Sequence, residues 1–338
     1  MSYRILVINP GSTTTKIAVY DGTEAVLVKN VEHDAAKIAS FATMAEQAPY
    51  RKEYISKALA ENGIDESTLD CVMCRGGLIY VPPIRSGGYI VNDDLCTALA
   101  DERLTAIHAS LLGGLIGKTF ADKLGIPAYI YDAPSAGELT ELGKITGFAD
   151  ITRRGTAHVL NARSMAIRYA ESVGKKAKDL NIIVGHMGGG CSVTAFKHGV
   201  LIETVGDDEL HMSAERSGSA PLIQVTELCY SGKYTQAEMK KLIRGKGGMM
   251  AHLGTSDARV AEQKMSEGDK KAKLVLDAIA YGMSKSIGAL SGIFKEKIDA
   301  IILTGGMAHS KYVTSAITEY VSPLAVLSFQ VKVANGFQ

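Results

Sequence analysis

A polar turn near the start of the chain carries groups that are suited to bind an anion. The turn reads NPGSTTTK and follows the apolar stretch RILVI; its candidate residues are Asn9, Ser12, Thr14 and Lys16. Hydroxyls, backbone N–H groups and an ammonium group all suit phosphate oxygens. The turn therefore predicts a phosphate site, although an ordinary hairpin is the simpler interpretation of it alone.

Two further turns replace the hydroxyls by glycine. The second turn reads HMGGGCS, with the candidate residues His186, Gly188, Gly189 and Gly190. The third reads LTGGMAHS, with the candidate residues Gly305 and Gly306. Glycine lets the backbone approach a ligand closely. One glycine turn after a strand is more often only a turn, but three at strand ends favour a nucleotide site.

Four charged or titratable residues stand beside small residues or end an apolar stretch: Arg75, Asp132, His158 and Arg216. The arginines, in CRGGL and ERSGSAP, can grip a carboxylate or phosphate bidentately, and a surface salt bridge is the alternative. Asp132 ends AYIYD, and open α/β sheets keep their sites at the carboxyl ends of strands, so it is a candidate for metal or water. His158 can cap a helix, pack or act in catalysis.

Two other motifs are interpreted as structural. The stretch Gly117–Thr119 resembles the end of a P-loop, but that motif requires a glycine where Leu112 stands, and the stretch lies in a helical pattern. Cys71 and Cys74 form a lone CxxC without a second pair nearby, so we expect ordinary reduced thiols.

Short apolar stretches alternate with longer amphipathic ones, which is typical of α/β proteins. The predicted strands are Ile5–Ile8, Lys16–Tyr20, Cys71–Met73, Ala128–Tyr131, Ile182–Val184, Ser192–Phe196 and Ala300–Leu303. The predicted helices are Tyr54–Asn62, Leu104–Leu124, Thr156–Val173, Gln236–Ile243 and Lys270–Phe294.

The chain carries a weak internal repeat. A shift of 177 residues places ILVINPGSTTTKIAVY over IIVGHMGGGCSVTAFK, so that Asn9 aligns with His186 and Gly11 with Gly188. Both copies read as strand, turn and strand. We therefore predict two related domains, residues 1–152 and 153–338, with a nucleotide cleft between them.

Composition limits the class of protein. With 338 residues, 46% hydrophobic residues, 22% charged residues and a net charge of +1, the chain is typical of a globular protein with two cores. Nothing favours nucleic acid or an acidic membrane as a partner. No apolar run approaches the roughly 18–20 residues of a membrane span, and the N-terminus lacks a signal-peptide pattern. We expect a cytoplasmic protein.

Seven motifs, taken together and in order, are similar to those of one enzyme family. They are INPGSTTTKIAVY, CRGGL, HMGGGCSV, ERSG, ELCYSGKYT, GKGGMMAHLGTSDAR and LTGGMAHS. In this combination the chain resembles the butyrate kinases, a branch of the acetokinase family in the actin/sugar-kinase/Hsp70-like superfamily. The resemblance runs from about residue 3 to about residue 325.

The resemblance implies an α/β fold of duplicated actin-like (ribonuclease H-like) domains. It also implies ATP-dependent, reversible phosphorylation of butyrate or a similar short-chain carboxylate, with ATP/ADP and Mg²⁺, in a homodimer or higher homo-oligomer. A branched acid such as isobutyrate stays open as the substrate, because one methylene is worth only about 1–3 kcal/mol in a pocket.

The resemblance further implies roles for the residues of the first domain, which would serve the carboxylate and phosphate. Asn9, Ser12, Thr14 and Lys16 are expected at phosphate, and Asn9 also at the metal ion. Arg75 is expected to hold the substrate carboxylate. Asp132 is expected to position the metal and the nucleophile.

In the second domain the resemblance implies nucleotide binding. His158 and Arg216 are expected to stabilise the phosphoryl group during transfer, and residues 186–190 to cradle the β and γ phosphates. The residues expected at the adenosine part are Asp257, Arg259, Gly305 and Gly306.

The end of the chain departs from the family pattern. Family members carry an acidic metal ligand and a final helix there, whereas this chain ends SPLAVLSFQVKVANGFQ, with no acidic residue after Glu319. A one-base frame change could turn Phe-Pro-Gly-Glu into residues 329–332. We therefore expect a frameshifted or truncated tail, and a degenerate nucleotide-binding kinase with impaired turnover is the alternative to an active enzyme.

Overall fold

A computed structural model describes residues 2–79, 84–101, 103, 104, 108–325 and 327–329. The described residues form two compact units, one up to Ala136 and one from Gly137 onward. Each unit has its own sheet and its own hydrophobic core. Within these ranges, no helix is both long and apolar enough to cross a membrane.

The first unit contains a six-stranded mixed sheet. Its strands are β1 (Arg4–Pro10), β2 (Thr14–Asp21), β3 (Glu24–Glu32), β4 (Cys71–Arg75), β5 (Gly88–Ile90) and β6 (Ala128–Tyr131). They lie in the order β3-β2-β1-β4-β6-β5. The first three strands form an antiparallel meander, and β4 and β6 extend the sheet in parallel. The helices are α1 (Ala35–Ala39), α2 (Gln47–Glu61), α3 (Asp93–Ala100) and α4 (Leu112–Leu124).

Alternation along β1 and β2 separates the two faces of the first sheet. Leu6, Ile8, Ile17 and Val19 are fully buried and pack in the first core. Successive side chains of a strand point to opposite faces, so the residues between these belong to the other face of the sheet. This other face carries the polar residues of the first turn.

Glycines in α4 allow this helix to lie close to β4. A Cβ on Gly113 would clash with the carbonyl oxygen of Arg75, and one on Gly117 would clash with the sulfur of Cys74. The stretch Gly117–Thr119 is therefore part of a packed helix, as predicted, and the glycines serve helix–strand contact. The CxxC cysteines both lie within β4, where Cys74 is buried.

The second unit contains a five-stranded sheet in the order β11-β10-β7-β8-β9. Its strands are β7 (Asn181–Met187), β8 (Cys191–Lys197), β9 (Val200–Val205), β10 (Ala300–Thr304) and β11 (Leu327–Phe329). Its helices are α5 (Glu141–Lys144), α6 (Val159–Ser172), α7 (Leu222–Tyr230), α8 (Gln236–Ile243), α9 (Gly248–Leu253), α10 (Ala258–Ser266), α11 (Lys270–Ser291) and α12 (Lys311–Val321). Because α6 covers one face of β7 and α11 the other, every residue of β7 is buried.

The internal repeat predicted from the sequence is confirmed. Adding 177 to the bounds of β1 gives residues 181–187, which are the bounds of β7. Both strands open an antiparallel meander and are followed by strands that pair in parallel. In each meander the aligned residues Asn9 and His186 are the next-to-last residues of the first strand, just before the turn.

The division between the units lies at Ala136/Gly137 and differs from the predicted boundary at 152/153. The segment from 137 to 155 is part of the second unit. Its first and last residues, Gly137 and Gly155, pair with each other in an antiparallel bridge. Arg153 fastens the same segment, since its guanidinium bonds Glu203 at 2.7 Å and Glu209 at 2.9 Å. The predicted boundary falls inside this packed segment.

The predicted strands are all present, and several helices differ in their bounds. Helix α4 starts at Leu112, because a 3₁₀ turn over Ala109–Leu111 precedes it and the His108 side chain accepts the N–H of Ser110 at 3.1 Å. Residues 105–107 of the predicted helix lie outside the described residues. Strand β3 was not predicted, because most of its residues are exposed and its apolar pattern is weak. The proposed frame change concerns residues 329–332, of which 330–332 lie outside the described residues, so it stays a hypothesis.

Candidate functional site

Three polar residues form a row across adjacent strands of the first sheet, on the face opposite the core. Lys16 on β2 stands opposite Asn9 on β1, and Arg75 Nη1 on β4 donates to Asn9 Oδ1 at 3.2 Å. Since neighbouring strands are separated by about 4.8 Å, the Cα atoms of Lys16 and Arg75 are about 10 Å apart. We call Lys16, Asn9 and Arg75 the polar row. A cationic side chain on each side of the Asn9 amide makes this row a candidate site for an anion.

Arg75 is largely buried, and burial lowers the pKa of its guanidinium. Within the described part of the chain it forms no ion pair, and its side-chain hydrogen bond goes to a neutral amide oxygen. A guanidinium retains its charge in a protein. Arg75 is therefore a buried cation without a carboxylate partner in the described residues, which favours an anionic ligand.

Asp132 follows β6 directly and adopts a left-handed backbone with φ of 42°. Its Oδ1 accepts the N–H of Gly87 at 2.8 Å, and its own N–H donates to the Gly87 carbonyl at 3.0 Å. Its side chain is 2% exposed. A buried carboxylate on a strained backbone position is typical of functional sites. In the parallel register Tyr131 of β6 lies opposite Arg75, the last member of the polar row. Asp132 is the residue that follows Tyr131.

The first hairpin turn, residues 11–13, presents two backbone amides. The Gly11 N–H donates to the Thr14 carbonyl at 2.7 Å, whereas the N–H groups of Ser12 and Thr13 have no acceptor among the described residues. Both of these residues are exposed. Successive unpaired amides in a turn form a concave nest for an anion.

The second hairpin turn, residues 188–190, also presents two backbone amides, although its own hydrogen bond closes one residue earlier than in the first turn. The Gly188 N–H donates to the Gly190 carbonyl at 2.9 Å, and the amides of Gly189 and Gly190 lack acceptors in the described ranges. These two amides align with those of Ser12 and Thr13 by the 177-residue shift. A Cβ on Gly190 would lie 2.5 Å from Asp207 Oδ1, so the turn requires glycine there.

Arg216 lies in a charged cluster against the second hairpin turn. Its Nε is 3.6 Å from Asp207 Oδ2 and its Nη1 is 3.5 Å from Glu215 Oε2. The buried Nε has no hydrogen-bond partner in the described structure. Ser213 Oγ and the Glu215 N–H both bond the Gly189 carbonyl, at 2.7 and 2.9 Å, so the segment that carries Arg216 also holds the turn.

Asp207 is buried beside Arg216, and its Oδ1 accepts the N–H of Cys191 at 2.8 Å. Burial raises the pKa of Asp207, and the charge of Arg216 opposes that rise. The distance of 3.6 Å leaves the guanidinium without a close bond to this carboxylate. Arg216 is therefore held near the turn by a long ion pair to Asp207 and by a hydrogen bond from Nη1 to the Glu215 carbonyl at 3.4 Å.

His158 and His186 stack face to face, with ring centroids 3.9 Å apart and planes 12° from parallel. His186 Nδ1 bonds Asn161 Oδ1 at 2.8 Å, and His158 Nδ1 bonds Ser192 Oγ at 2.9 Å. The structure thus brings together two residues that the sequence separates by 28 positions. Each ring is oriented through its Nδ1.

The third turn lies beside the second within the same sheet, since Thr304 pairs with His186. Gly305 has φ of 89° and ψ of 175°, a conformation essentially restricted to glycine. A Cβ on it would clash with the carbonyl of Met187, whereas a Cβ on Gly306 would meet nothing within 4 Å. Gly305 is required by the fold, and Gly306 borders open space.

Asp257 and Arg259 contact one another at the start of α10. Asp257 caps this helix by accepting the Arg259 N–H at 2.9 Å, and Arg259 Nη2 donates to its Oδ2 at 2.7 Å. The bonds from Arg259 lower the pKa of Asp257 to about 2. Helix capping alone explains Asp257, so an adenosine-binding role for this pair stays a proposal.

The residues present fit a magnesium ion that arrives with phosphate. Within the described residues, no group of three or more His, Cys, Asp or Glu side chains could hold a metal. Mg²⁺, however, is usually bound by one or two protein oxygens together with waters and substrate phosphates. The carboxylate of Asp132 and the amide oxygen of Asn9 are donors of this kind.

Some residues of these sites are not evident from the sequence. Three side chains form hydrogen bonds to a hairpin turn or to a residue next to it: those of Arg51, Asp207 and Ser213. None of these residues belongs to a sequence motif. Asp207 and Ser213 lie in the stretch GDDELHMSAERSG, where the run of acidic residues before Arg216 was the available signal. Arg51 lies inside a helix of mixed composition and gave no signal.

Comparison with solved structures identifies the fold. The acetate kinase of Porphyromonas gingivalis aligns with a TM-score of 0.78 at 20% identity, covering 95% of this chain and 88% of that one. A propionate kinase from Francisella tularensis aligns with a TM-score of 0.74 at 19% identity, with the same coverage of 95% and 88%. The chain therefore has the duplicated actin-like fold of these kinases, as the motifs predicted.

Comparison of sequences then gives the family. The model of the acetokinase family matches residues 119–334. "Probable butyrate kinase 2" of Caldanaerobacter subterraneus subsp. tengcongensis is 42% identical over 327 residues, 96% of this chain and 92% of that protein. "Butyrate kinase 1" of Clostridium acetobutylicum is 44% identical over 325 residues, 96% and 91% respectively. The chain belongs to the acetokinase family.

Proposed function

We propose that this chain transfers the γ-phosphoryl group of ATP reversibly to the carboxylate of butyrate, forming butyryl phosphate and ADP. The identity of 42–44% to two proteins named butyrate kinase, over 96% of the chain, carries this proposal. The buried guanidinium of Arg75 supports it, because a guanidinium binds a carboxylate bidentately. A carboxylate is already a nucleophile and needs no general base, so the protein has only to position and neutralise charge.

Each unit has its own part in this proposal. In the first, Arg75 holds the carboxylate of butyrate, and Lys16 with the Ser12 and Thr13 amides faces phosphoryl oxygens. In the second, the Gly189 and Gly190 amides hold nucleotide phosphates, and Arg216 and His158 neutralise the charge that spreads over the phosphoryl oxygens. Mg²⁺, held by Asp132 and Asn9, would offset charge between the nucleotide and the carboxylate when bound.

A hydroxamate assay for acyl phosphate tests the reaction. The purified chain is incubated with ATP, Mg²⁺ and, in turn, acetate, propionate, butyrate, isobutyrate and valerate, with calorimetry of ATP binding in parallel. We expect the highest kcat/KM for butyrate, and a lower one for isobutyrate because both relatives are named for the straight-chain acid. ATP binding without product from any acid would contradict the proposal and favour a degenerate kinase.

Gly305 and Gly306 provide a matched test of the proposed adenosine site. We expect Gly305→Ala to lower the melting temperature by about 5–10 °C, because it combines a forbidden φ with a backbone clash worth roughly 3 kcal/mol. A Cβ on residue 306 lies within 4 Å of none of the described residues, so the melting temperature of Gly306→Ala should stay within about 2 °C. Its KM for ATP should nevertheless rise about tenfold. An unchanged KM would remove Gly306 from the nucleotide site.

We also propose a cytoplasmic homodimer assembled through the second unit. Its support is the exposed apolar side of α7, where Leu222, Ile223 and Tyr230 are 65%, 73% and 88% exposed. The small residues of α11 add no support, because Gly282 already packs against His211 within the unit. Light scattering should give twice the chain mass of 35.9 kDa, and a monomer mass would contradict the dimer.

A further inference from the structure

Arg51 in α2 makes a set of hydrogen bonds that the proposed function does not yet use. Its side chain is 1% exposed. Nη1 donates to the carbonyls of Gly11 and Thr14 at 2.9 and 3.0 Å, and Nη2 donates to the carbonyl of Ser12 at 2.5 Å. The guanidinium thus lies beneath the first hairpin turn and bonds two of its carbonyl oxygens and that of Thr14, the first residue of β2.

The remaining surroundings of Arg51 are neutral. Gln47 Oε1 accepts from Nε at 3.2 Å and from Nη2 at 3.0 Å, and in the described structure Arg51 forms no ion pair. The neighbouring His33 bonds Thr15 Oγ1 at 2.8 Å; burial, and then the charge of Arg51, lower the pKa of His33 to about 4. At neutral pH His33 is uncharged. Among the described residues, the charge of Arg51 is therefore balanced by oxygen dipoles, which come from Gly11, Ser12, Thr14, Thr15 and Gln47.

Peptide geometry converts these bonds into an orientation for the amides. In a planar trans peptide, the carbonyl of one residue and the N–H of the next point in opposite directions. Bonds from Arg51 to the carbonyls of Gly11 and Ser12 therefore direct the N–H groups of Ser12 and Thr13 away from the core. These are the two amides of the first hairpin turn that lack an acceptor among the described residues.

The second unit reaches the same result with different groups. The carbonyl of Gly189, which aligns with that of Ser12, accepts from Ser213 Oγ and the Glu215 N–H. In both copies of the repeat the carbonyl at the tip of the turn is fastened from the protein side and the following amide faces outward. The two units use different groups to fix the same orientation of the turn amides, which indicates that this orientation is itself important.

We propose that Arg51 is a positioning residue that holds the Ser12 and Thr13 amides toward a bound phosphoryl group. This inference rests on the proposed function for the identity of that group. Arg51 itself acts through the turn and does not touch the substrate. Lysine retains the charge but carries all its donors on one nitrogen, so it cannot reproduce bonds that are spread over Nε, Nη1 and Nη2 of Arg51.

Hydrogen exchange of the peptide spanning residues 9–15, measured by mass spectrometry with and without ATP and Mg²⁺, tests the proposal directly. In the unmodified chain, nucleotide should slow exchange in this peptide about tenfold; in Arg51→Lys this protection should be lost. Protection of residues 186–192 should persist in the variant. Equal protection of residues 9–15 in both proteins would overturn the proposal.

Turnover gives the second readout. We expect Arg51→Lys to lower kcat by about 10- to 100-fold, because a displacement of about 1 Å can cost that much, while affinity for ADP changes less than threefold. The matched control is Arg163→Lys, whose guanidinium bonds the Gly199 carbonyl at another hairpin; its kcat should stay within twofold. A normal kcat per folded molecule, with only a lower melting temperature, would leave Arg51 a purely structural residue.

Two further measurements distinguish a failure of the proposal from a failure of the variant or of the proposed reaction. Should Arg51→Lys not fold, Gln47→Met removes the acceptor of Nε and should weaken protection of residues 9–15 in the same way; unchanged protection would contradict the proposal. Should the unmodified chain phosphorylate no acid, the butyrate reaction fails, but protection of residues 9–15 by ATP and its loss in Arg51→Lys still decide the role of Arg51.

Discussion

Replacing Arg216 by alanine should lower kcat by about 10³- to 10⁵-fold while the chain stays folded. Arg216 is the cation placed against the second hairpin turn, and its buried Nε has no hydrogen-bond acceptor in the described structure. Its nearest carboxylates, Asp207 and Glu215, are 3.6 and 3.5 Å away. A guanidinium so loosely paired can bond the phosphoryl oxygens as their charge spreads in the transition state.

The retained fold has a separate physical reason. Removing Arg216 leaves Asp207 buried without its nearest cation, but burial already raises the pKa of this carboxyl and the Cys191 N–H still bonds it. Hydroxamate assays at saturating substrates give kcat, and circular dichroism checks the fold. Arg216→Lys should lose less than alanine, about 10²-fold, because lysine keeps the charge but not the fork geometry.

Arg244→Ala is the matched control for Arg216. Its guanidinium pairs with Asp208 at 2.8 Å on the surface, where ion pairs contribute little. We expect its kcat within threefold of the unmodified chain. A folded Arg216→Ala protein with a near-normal rate would remove Arg216 from the mechanism.

Asp132→Asn should lower kcat/KM for ATP by about 10²- to 10³-fold and move half-saturation by Mg²⁺ to a higher concentration. Asparagine tolerates the left-handed backbone that Asp132 adopts and can still accept the N–H of Gly87. The substitution therefore removes a negative charge and little else. Titration of activity with Mg²⁺ at fixed ATP gives the measurement.

Asp65→Asn provides the comparison for Asp132. Asp65 accepts the Ser67 N–H at 2.9 Å at a surface turn, and asparagine retains this bond. Its activity and Mg²⁺ dependence should match the unmodified chain within twofold. An Asp132→Asn variant with the same Mg²⁺ dependence as Asp65→Asn would exclude Asp132 as a magnesium ligand.

The parts of the site that the sequence predicts are those made by neighbouring residues. The hairpin turn after β1 and its copy after β7 follow from glycine and apolar alternation. Asn9, Lys16 and Arg75 were predicted individually as site residues, whereas their arrangement in one row depends on a strand order that the sequence did not predict. The resemblance to a P-loop around Lys118 was correctly rejected, because both the helical pattern and the missing glycine argue against that motif.

Other parts depend on contacts over long distances along the chain. Arg51 is separated by 39 residues from the Ser12 carbonyl that it bonds, and its helix has no pattern that marks it. Strand β3 pairs with β2 along its whole length, yet most of its side chains are exposed, so apolar periodicity does not reveal it. Asp257 shows the opposite case: the stretch TSDAR has the composition of a helix N-cap, and the structure forms one.

The packing of residues 137–155 on the second unit determines where two members of the family can be recombined. Arg153 joins this segment to Glu203 and Glu209, and Gly137 pairs with Gly155. A chimera joined at 152/153 would keep Arg153 with Glu203 and Glu209 but would separate it from the Gly143 carbonyl that it bonds at 3.2 Å, and would separate Gly137 from Gly155. A junction at Ala136/Gly137 keeps both of these contacts within one parent, so each unit is exchanged intact.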